Sequence, residues 1–326
     1  MPEGLTLVTG GSGFIGRALC QALLPAGPVR AMVRRGAPVA GVEPALVEGL
    51  DDLPGVRAAL AGVRQVVHLA ARVHVTHDPA RDPLAAYRQT NVEGTQVLLE
   101  EAARAGARRF VLASSVKAVG EASATPWTED TPPHPTDPYG VSKLEAETVM
   151  REGAARLGLE AVILRLPLVY GPGVGANALQ LVRLVDRGWP LPLGSVHNRR
   201  SMAAIGNAVG AIAAVLAAPA AAGQTFFVSD GRDLSTPELV RVIAAALGRP
   251  ARLLPVPTGV LRAAGWAGDR VARVAPWPLT SGAVERLCGS LVVDASRLTR
   301  VTGFVPPVSV EAGWSAVAQW YREANA

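Results

Sequence analysis

Cysteine is scarce in this chain: its 326 residues include only two, Cys20 and Cys288, which lie far apart in the sequence. This excludes a disulfide framework and a cysteine-based zinc site, and it is typical of the reducing cytoplasm. The five histidines lack the spacing of metal ligands, and we expect His68 to be a packed residue at a strand end. The composition therefore predicts a cytoplasmic location and no metal site.

Long hydrophobic runs and blocks of one charge are also missing. The most apolar stretch, residues 208–222, is too short and too rich in alanine to span a bilayer, and it predicts a buried helix. The first residues lead directly into a strand pattern, so a secretory signal is not expected. The net charge of +5 is scattered, without the basic cluster of a nucleic-acid footprint. We expect neither membrane insertion nor nucleic-acid binding.

A glycine-rich turn lies near the start, between a β-leaning run at residues 5–8 and a helical pattern at residues 14–24. Gly10 permits a tight turn, Gly13 lets a pyrophosphate approach the backbone, and Gly16 lets the helix pack closely on the sheet. The free N–H groups of the helix N-terminus then hold the phosphates. The pattern predicts a dinucleotide site formed by Gly10, Ser12, Gly13, Phe14, Ile15 and Gly16.

Two arginines follow the second predicted strand, residues 29–33. Enzymes that bind NAD usually carry an acidic residue at this strand end for the ribose 2′-hydroxyl, whereas a guanidinium suits a 2′-phosphate. Arg34 and Arg35 therefore favour NADP as the cofactor, with NAD as the alternative. The plainer interpretation of the pair is a solvated strand end.

A second motif carries candidate catalytic groups. Residues 110–115 form a buried strand pattern that ends in hydroxyls, and a helix that begins near Pro138 carries Tyr139 and Lys143. Residues four apart share a helix face. A lysine ammonium beside a phenol is expected to lower the phenol pKa from about 10 towards neutrality. Tyr139 can then exchange a proton with a substrate oxygen while a hydride moves, and Ser115 orients that oxygen.

Together these motifs resemble an extended short-chain dehydrogenase/reductase of the nucleotide-sugar epimerase/dehydratase type. The resemblance runs nearly end to end and includes residues 66–71, 91–95, 164–173 and 199–201. It implies further cofactor contacts from Leu50, Leu69, Ala70, Ala71, Asn91, Leu166 and Pro167, in addition to Tyr139 and Lys143. It also implies substrate contacts from Ser115, Lys117, Asn177 and Arg200.

The sequence departs from the family pattern at several positions. Sugar 4,6-dehydratases carry Asp-Glu after the catalytic hydroxyl, where this chain has Val116 and Lys117, so dehydration lacks its acid and base. The family aspartate that contacts adenine is Gly49 here, and Asp51 or Asp52 is the available substitute. The family pair Arg-Asp, whose arginine contacts the substrate diphosphate, is Arg200-Ser201.

The order of patterns predicts an α/β protein. Residues 1–170 alternate strand and helix signals, as a doubly wound parallel sheet, or Rossmann domain, requires. Residues 171–326 are expected to form a smaller, mainly helical substrate lobe, with some strands returning to the main sheet. Within that lobe Ser235 is expected to cap a helix. The proline-rich loop at residues 125–138 is expected to shape substrate access.

Three functions fit this site. The first and favoured one is NADPH-dependent reduction of a UDP-4-keto-hexose at C4, because Arg34 and Arg35 favour NADP. The second is a UDP-hexose 4-epimerase, and the third is a non-catalytic sensor of dinucleotide redox state, which would have no need of the Tyr139–Lys143 pair. The resemblance also implies a homodimer through two helices, one of which carries that pair.

Overall fold

Nine strands and twelve α-helices occur in the part of the chain that the computed structural model describes, residues 4–35, 39–73, 82–272 and 280–325. The strands are β1 (Leu5–Thr9), β2 (Val29–Val33), β3 (Glu43–Leu46), β4 (Val63–His68), β5 (Arg109–Ser115), β6 (Glu160–Leu166), β7 (Leu168–Tyr170), β8 (Met202–Ala204) and β9 (Thr225–Phe227). The helices are α1 (Phe14–Leu23), α2 (Leu53–Leu60), α3 (Pro83–Arg88), α4 (Gly94–Arg104), α5 (Pro138–Leu157), α6 (Ala176–Asp186), α7 (Ile205–Ala217), α8 (Thr236–Leu247), α9 (Thr258–Val271), α10 (Ser281–Cys288), α11 (Ser296–Thr302) and α12 (Val310–Ala324).

Seven strands form one parallel sheet in the order β3-β2-β1-β4-β5-β6-β9. This is the doubly wound Rossmann order, which confirms the predicted fold. Because all seven strands run the same way, β1, β2, β4, β5 and β6 end at one edge of the sheet. The glycine turn, Arg34 and Ser115 follow or end strands at this carboxyl edge. Ligands of doubly wound sheets bind at that edge.

Helices cover both faces of the sheet, which is why its strands are apolar on both sides. On one face Val8 and Val111 pack with residues of α1 and α7. On the other face Leu7 and Phe110 pack with residues of α2, α4 and α5. Successive strand residues alternate between the two cores, as the strand period of two requires.

The second half of the chain adds a core of its own. Residues of α6, α8 and α12 pack together there, and the Tyr170 ring stacks on Trp314 with 4.6 Å between centroids. Ser235 caps α8, as predicted, and exchanges hydrogen bonds with Glu238 in a capping box. β9 pairs with β6, so this half also contributes one strand to the main sheet. Within the described residues, no helix is both long and apolar enough to cross a membrane.

Candidate active site

The glycine turn between β1 and α1 leaves no room for side chains. Gly10 has a φ of +67°, and a Cβ on it would lie 3.0 Å from the backbone N of Ala70. A Cβ on Gly16 would lie 2.1 Å from the carbonyl oxygen of Gly10. Helix α1 begins after Gly13, and no side chain caps its first turn. The N-terminus of α1 is therefore available to an anionic group.

A cleft of about 570 Å³ opens at this turn. It lies between the start of α1 and the loop that follows β7, and its lining includes Ser12, Gly13, Phe14, Pro172, Gly173 and Ile205. A close backbone, an uncapped helix N-terminus and an adjoining cleft are what a dinucleotide pyrophosphate requires. The residues present therefore fit an NAD-type cofactor.

Ser115, Tyr139 and Lys143 come together where α5 crosses the end of β5. A Cβ on Gly140 would lie 2.5 Å from the carbonyl oxygen of Lys117, so the first turn of α5 lies against the segment after Ser115. The Ser115 hydroxyl lies close enough to the Tyr139 phenol to lower the pKa of that phenol. The buried Lys143 donates from Nζ to the carbonyl oxygen of Ala113 at 2.6 Å. The three predicted catalytic groups thus form one cluster.

The protonation of this cluster differs from the expectation. Burial raises the pKa of Tyr139 to about 12, against the lowering effect of the nearby Ser115 hydroxyl. Burial lowers the pKa of Lys143 to about 8, although Glu147 acts the other way. Lys143 therefore loses its proton well before Tyr139 would ionise, and a neutral amine cannot stabilise a phenolate. The predicted lowering of the Tyr139 pKa by Lys143 is absent in this arrangement.

A buried ionic cluster lies one helical turn after Lys143, and the sequence patterns did not indicate it. Glu147 is fully buried and accepts hydrogen bonds from Arg165, at 3.0 and 2.8 Å, and from Ser114 at 2.6 Å. Burial alone would raise the pKa of Glu147, but these partners hold it below its usual range. The cluster ties α5 to β5 and β6 directly beneath the catalytic residues. The signal was a carboxylate four residues after Lys143, on the same helix face.

Lys117 pairs with Asp137, the residue that caps α5. The Lys117 ammonium contacts Oδ2 of Asp137, while Oδ1 accepts from the Gly140 N–H at 2.8 Å. The Lys117 backbone N–H donates to Oγ of Ser115 at 3.2 Å. Lys117 thereby joins Ser115 to the start of the helix that carries Tyr139. Its side chain is 30% exposed, so it also reaches the solvent side of the site.

The predicted adenosine contacts lie at the ends of β2 and β3. Arg34 and Arg35 are exposed, and neither forms an ion pair with the residues that the structure describes. Asp52 caps α2 by accepting from the Gly55 N–H at 3.1 Å. Oδ1 of Asp51 lies 2.3 Å from where a Cβ on Gly49 would be. Asp51 therefore places a carboxylate where the side chain of residue 49 would begin.

The remaining cofactor residues surround the same edge of the sheet. Leu50 touches the start of α4, since a Cβ on Gly94 would lie 2.6 Å from its Cδ1. The N–H groups of Leu69 and Ala70 donate to Oγ1 of Thr9. Asn91 is buried in a π-helical turn, Gln89–Glu93, that precedes α4. Ala71 is half-buried, and Leu166 and Pro167, at the end of β6, are buried.

The predicted substrate residues of the second half are less closely joined. Arg200 donates from Nη1 to the carbonyl oxygens of Arg286 and Gly289 at 3.0 and 3.1 Å, and no carboxylate of the described chain pairs with it. Ser201, which replaces the family aspartate, donates to Asp233 at 2.6 Å. Asn177 is exposed in the first turn of α6. No hydrogen bond joins it to Arg200 among the residues described.

The proline-rich loop before α5 is fixed to the second half of the chain. Trp127 exchanges backbone hydrogen bonds with Val292 and Asp294 at 2.9 and 2.8 Å, and Glu129 accepts from the Phe227 N–H of β9 at 3.0 Å. A cavity of about 470 Å³ lies between this loop and residues 119–122, which follow Ser115. The loop therefore links the catalytic half to the predicted substrate lobe.

A doubly wound sheet with a glycine turn and a Ser-Tyr-Lys cluster at its carboxyl edge defines the short-chain dehydrogenase/reductase class. The chain matches the NAD dependent epimerase/dehydratase family over residues 6–228, and it belongs to that family. It is also 37% identical to UDP-glucose 4-epimerase of Vibrio cholerae, over 100% of this chain and 97% of that protein.

Two solved structures share the whole architecture. MoeE5 in complex with UDP-glucuronic acid and NAD is 27% identical, with a TM-score of 0.77 over 98% of this chain and 100% of that chain. DesIV, a dTDP-glucose 4,6-dehydratase from Streptomyces venezuelae with NAD and TYD bound, is 28% identical. Its TM-score is 0.76 over 98% of this chain and 97% of that chain. The protein is therefore an NAD-dependent enzyme of the nucleotide-sugar epimerase/dehydratase type.

Proposed function

We propose that the protein is a UDP-hexose 4-epimerase. The observation that carries this proposal is the Ser115–Tyr139–Lys143 cluster beside the glycine turn, in a chain similar throughout its length to the UDP-glucose 4-epimerase of Vibrio cholerae. The dehydratase activity of other relatives is disfavoured, because Val116 is buried and Lys117 pairs with Asp137. Neither residue offers the carboxylates that eliminate water.

The cluster suits proton exchange at one sugar oxygen. The anionic phosphates of a bound dinucleotide would favour the charged form of Lys143 and with it the Tyr139 phenolate. The phenolate takes the proton of the C4 hydroxyl and later returns it, while Ser115 holds the same oxygen in place. Lys143 donates to the carbonyl oxygen of Ala113 and so holds α5 against β5 beside the reacting carbon. A bound dinucleotide, held by the glycine turn, would supply hydride transfer at C4. Because both the hydride and the proton return to the sugar, epimerisation consumes no cofactor.

The second candidate is the NADPH-dependent 4-ketoreductase that the sequence favoured. Arg34 and Arg35 support it, because both are exposed at the end of β2 and neither is paired with a described carboxylate. The solved relatives named above carry NAD, and the Vibrio cholerae relative is an epimerase. For that reason we place the epimerase first, which reverses the order expected from the sequence.

The test is an assay without added cofactor. An epimerase is expected to interconvert UDP-glucose and UDP-galactose, and mass spectrometry of the denatured protein should release NAD. A ketoreductase would leave both sugars unchanged and would oxidise added NADPH only with a UDP-4-keto-hexose. A dinucleotide sensor would bind the cofactor and do neither, which would contradict both enzymatic proposals.

Cofactor choice can be tested at the end of β2. Replacing Arg34 and Arg35 by Asp and Ser should weaken NADP binding by roughly tenfold or more, since a 2′-phosphate would meet a carboxylate instead of two guanidinium groups. NAD binding should change by no more than about threefold. Fluorescence titration of the variant with both cofactors measures the ratio. Equal losses for the two would mean that the arginines are surface charge.

Arg200 is proposed to bind the substrate diphosphate. Two carbonyl oxygens already orient its guanidinium, and an arginine can engage phosphate oxygens bidentately. Because such contacts are worth about 1.5–3 kcal/mol, Arg200→Ala should raise the dissociation constant for UDP roughly ten- to a hundredfold. NADP and NAD affinities should barely change. Asn177 is the proposed partner for the same group.

Arg199→Ala is the matched control for that experiment. Arg199 is the neighbouring arginine, but its side chain is 68% exposed and pairs with Asp233 at 2.8 Å. Calorimetry should show UDP binding within about twofold of the wild type for this variant. Similar UDP affinities for both variants, or no UDP binding by the wild type, would remove the support for the nucleotide-sugar substrate.

We also propose a cytoplasmic homodimer, with residues 1–170 as the dinucleotide domain and 171–326 as the substrate lobe. Helices α4 and α5 support a dimer contact, because their outer sides carry the half-buried apolar residues Val97, Val141, Leu144 and Val149. Both cysteines are free, as in a reducing compartment. Light scattering of the purified protein measures the mass of the assembly directly.

A further inference from the structure

Five polar side chains form a buried chain behind the candidate active site: Thr9, His68, Asn91, Thr95 and Ser142. None of them is more than 2% exposed. They come from β1, β4, the helical turn before α4, the start of α4, and α5, so the chain crosses the protein from the glycine turn to the catalytic helix. Buried polar groups of this kind are stable only when every donor and acceptor finds a partner. That requirement fixes the direction of each hydrogen bond.

The other hydrogen-bond partners of Thr9 and Thr95 fix the direction of the hydrogen bonds that these residues form with His68. Oγ1 of Thr9 accepts from the N–H groups of Leu69 and Ala70, at 3.2 and 3.1 Å, so its own proton points to Nδ1 of His68, at 2.7 Å. At the other side Thr95 donates its hydroxyl proton to the carbonyl oxygen of Asn91, at 2.6 Å. Oγ1 of Thr95 must then accept from Nε2 of His68, at 3.2 Å. A hydroxyl has only one proton, so no other arrangement satisfies both threonines.

The imidazole is therefore assigned an unprotonated Nδ1 and a protonated Nε2, which is one neutral tautomer. Its surroundings agree: burial, and next the charge of Lys143 on α5, lower the pKa of His68 to about 3. The ring also packs edge-on against Phe110 of β5, at 5.9 Å between centroids. With Thr9 on β1 and Thr95 on α4, these are the groups that face it.

Each end of the chain holds a part of the site. Thr9 holds the Leu69–Ala70 backbone, which lies against Gly10 of the glycine turn. Thr95 holds the carbonyl oxygen of Asn91, whose side chain donates to Ser142 at 2.9 Å. Ser142 in turn donates to the carbonyl oxygen of Tyr139, at 2.8 Å.

We propose that His68 is a positioning residue that, as the neutral Nε2–H tautomer, orients Thr9 and Thr95 and so fixes the dinucleotide turn relative to the helix of Tyr139. The hydrogen-bond geometry around His68 does not depend on the proposed function, whereas the consequence for cofactor binding rests on the proposed dinucleotide-dependent function. The proposal also gives His68 a purpose beyond filling space at a strand end.

Two substitutions of His68 each keep one of the two hydrogen bonds of its ring and remove the other. Asn has its amide near the position of Nδ1, so His68→Asn can still accept from Thr9 but no longer reaches Thr95. Gln has its amide near the position of Nε2, so His68→Gln can still donate to Thr95 but leaves the Thr9 proton without an acceptor. Both variants remove the ring and differ from each other by one methylene group, so the difference between them reports chiefly on which hydrogen bond is kept.

The first measurement needs no ligand. Long-range ¹H–¹⁵N correlation spectra of ¹⁵N-histidine-labelled wild type, with His68 assigned by its absence in His68→Gln, should show the neutral Nε2–H tautomer from pH 6 to pH 8. Amide exchange at Leu69 and Ala70 should be faster in His68→Gln than in His68→Asn. An Nδ1–H tautomer, an imidazolium at pH 7, or equal exchange in the two variants would overturn the proposal.

The second measurement connects the chain to the cofactor. His68→Gln should weaken NAD binding roughly tenfold, as expected for a buried hydrogen-bonding group left without its partner, and His68→Asn by no more than about threefold. Equal affinities for NAD would overturn the proposed action through Thr9. If the wild type bound no dinucleotide, the proposed function would fail, while the tautomer and the exchange rates would still decide the role of His68.

Discussion

Replacing Tyr139 by phenylalanine is expected to reduce turnover by roughly 10²–10⁴-fold, because the only group lost is the hydroxyl that exchanges a proton with the sugar. The ring is retained and still packs 5.9 Å from the Tyr87 ring. Dinucleotide affinity should stay within a few-fold of the wild type, and the melting temperature should change little. Interconversion of UDP-glucose and UDP-galactose, followed by chromatography, measures the loss.

Tyr87→Phe is the matched control. The Tyr87 ring packs against the Tyr139 ring, but the Tyr87 hydroxyl donates to the carbonyl oxygen of Val73, at 3.2 Å, and takes no part in the proposed proton exchange. Its turnover should remain within about threefold of the wild type, since a typical hydrogen bond contributes only about 0.5–1.5 kcal/mol. Near-full activity of Tyr139→Phe would show that another group moves the proton. A comparable loss in Tyr87→Phe would mean that removing either hydroxyl disturbs the site, so that the loss in Tyr139→Phe could not be assigned to proton exchange.

The fold was predictable because its signals are local and repeated. Strand patterns followed by helical patterns predicted the parallel sheet, and the glycine spacing predicted the corner between β1 and α1. The observed β2 has the predicted bounds, and β5 differs from the predicted strand by one residue. The return of β9 to the sheet could be anticipated only from the family resemblance, since a strand of three residues has almost no periodicity of its own.

The candidate site was predictable in its members but not in its electrostatics. The spacing of Tyr139 and Lys143 places them on one helix face, and it contains no information on burial. Burial reverses the expected order of events, because Lys143, with a pKa of about 8, is neutral before Tyr139, with a pKa of about 12, can ionise. The anionic phosphates of a bound dinucleotide would favour the charged lysine and restore the expected interaction.

The supporting residues were not predictable, because each depends on contacts between distant segments. Glu147 and Arg165 are 18 residues apart and become partners only when β6 lies beside β5. Thr9 and His68 are 59 residues apart, and only the pairing of β1 with β4 brings them together. The helix and strand periodicities of the sequence carry no information about such pairs. They are nevertheless what holds the predicted residues in place.

Replacing Lys143 by methionine is expected to separate activity from stability. Turnover should fall by roughly 10²-fold or more, because the variant loses both the ammonium and the hydrogen bond to Ala113. With cofactor bound, the pH optimum should also move upward, since the charge that favours the phenolate is gone. An unchanged pH profile in a folded, measurably active variant would limit Lys143 to holding α5 against β5.

The stability of the same variant should move in the opposite direction. The folded pKa of Lys143, about 8, is below the ordinary value of 10.5, so burying the charged lysine opposes folding. This destabilisation of the folded state is fully present below about pH 8. It decreases as the pH rises towards 10.5, because Lys143 then releases its proton in the folded state before it does so in the unfolded state. A buried methionine carries no such cost. Lys143→Met should therefore melt at the same temperature as the wild type or higher at pH 7.

The pH dependence of that difference is the decisive measurement. Melting temperatures without cofactor, compared from pH 7 to pH 10, should show the advantage of Lys143→Met decreasing as the wild-type lysine becomes neutral. Lys143→Arg is the control, since its guanidinium stays charged throughout this range and should melt below both other proteins. A methionine variant that melts well below the wild type at pH 7, with a gap that does not change with pH, would show that Lys143 stabilises the fold as a charged group. In that case the Lys143 charge would not be an uncompensated buried charge, and its pKa would not be lowered in the folded protein.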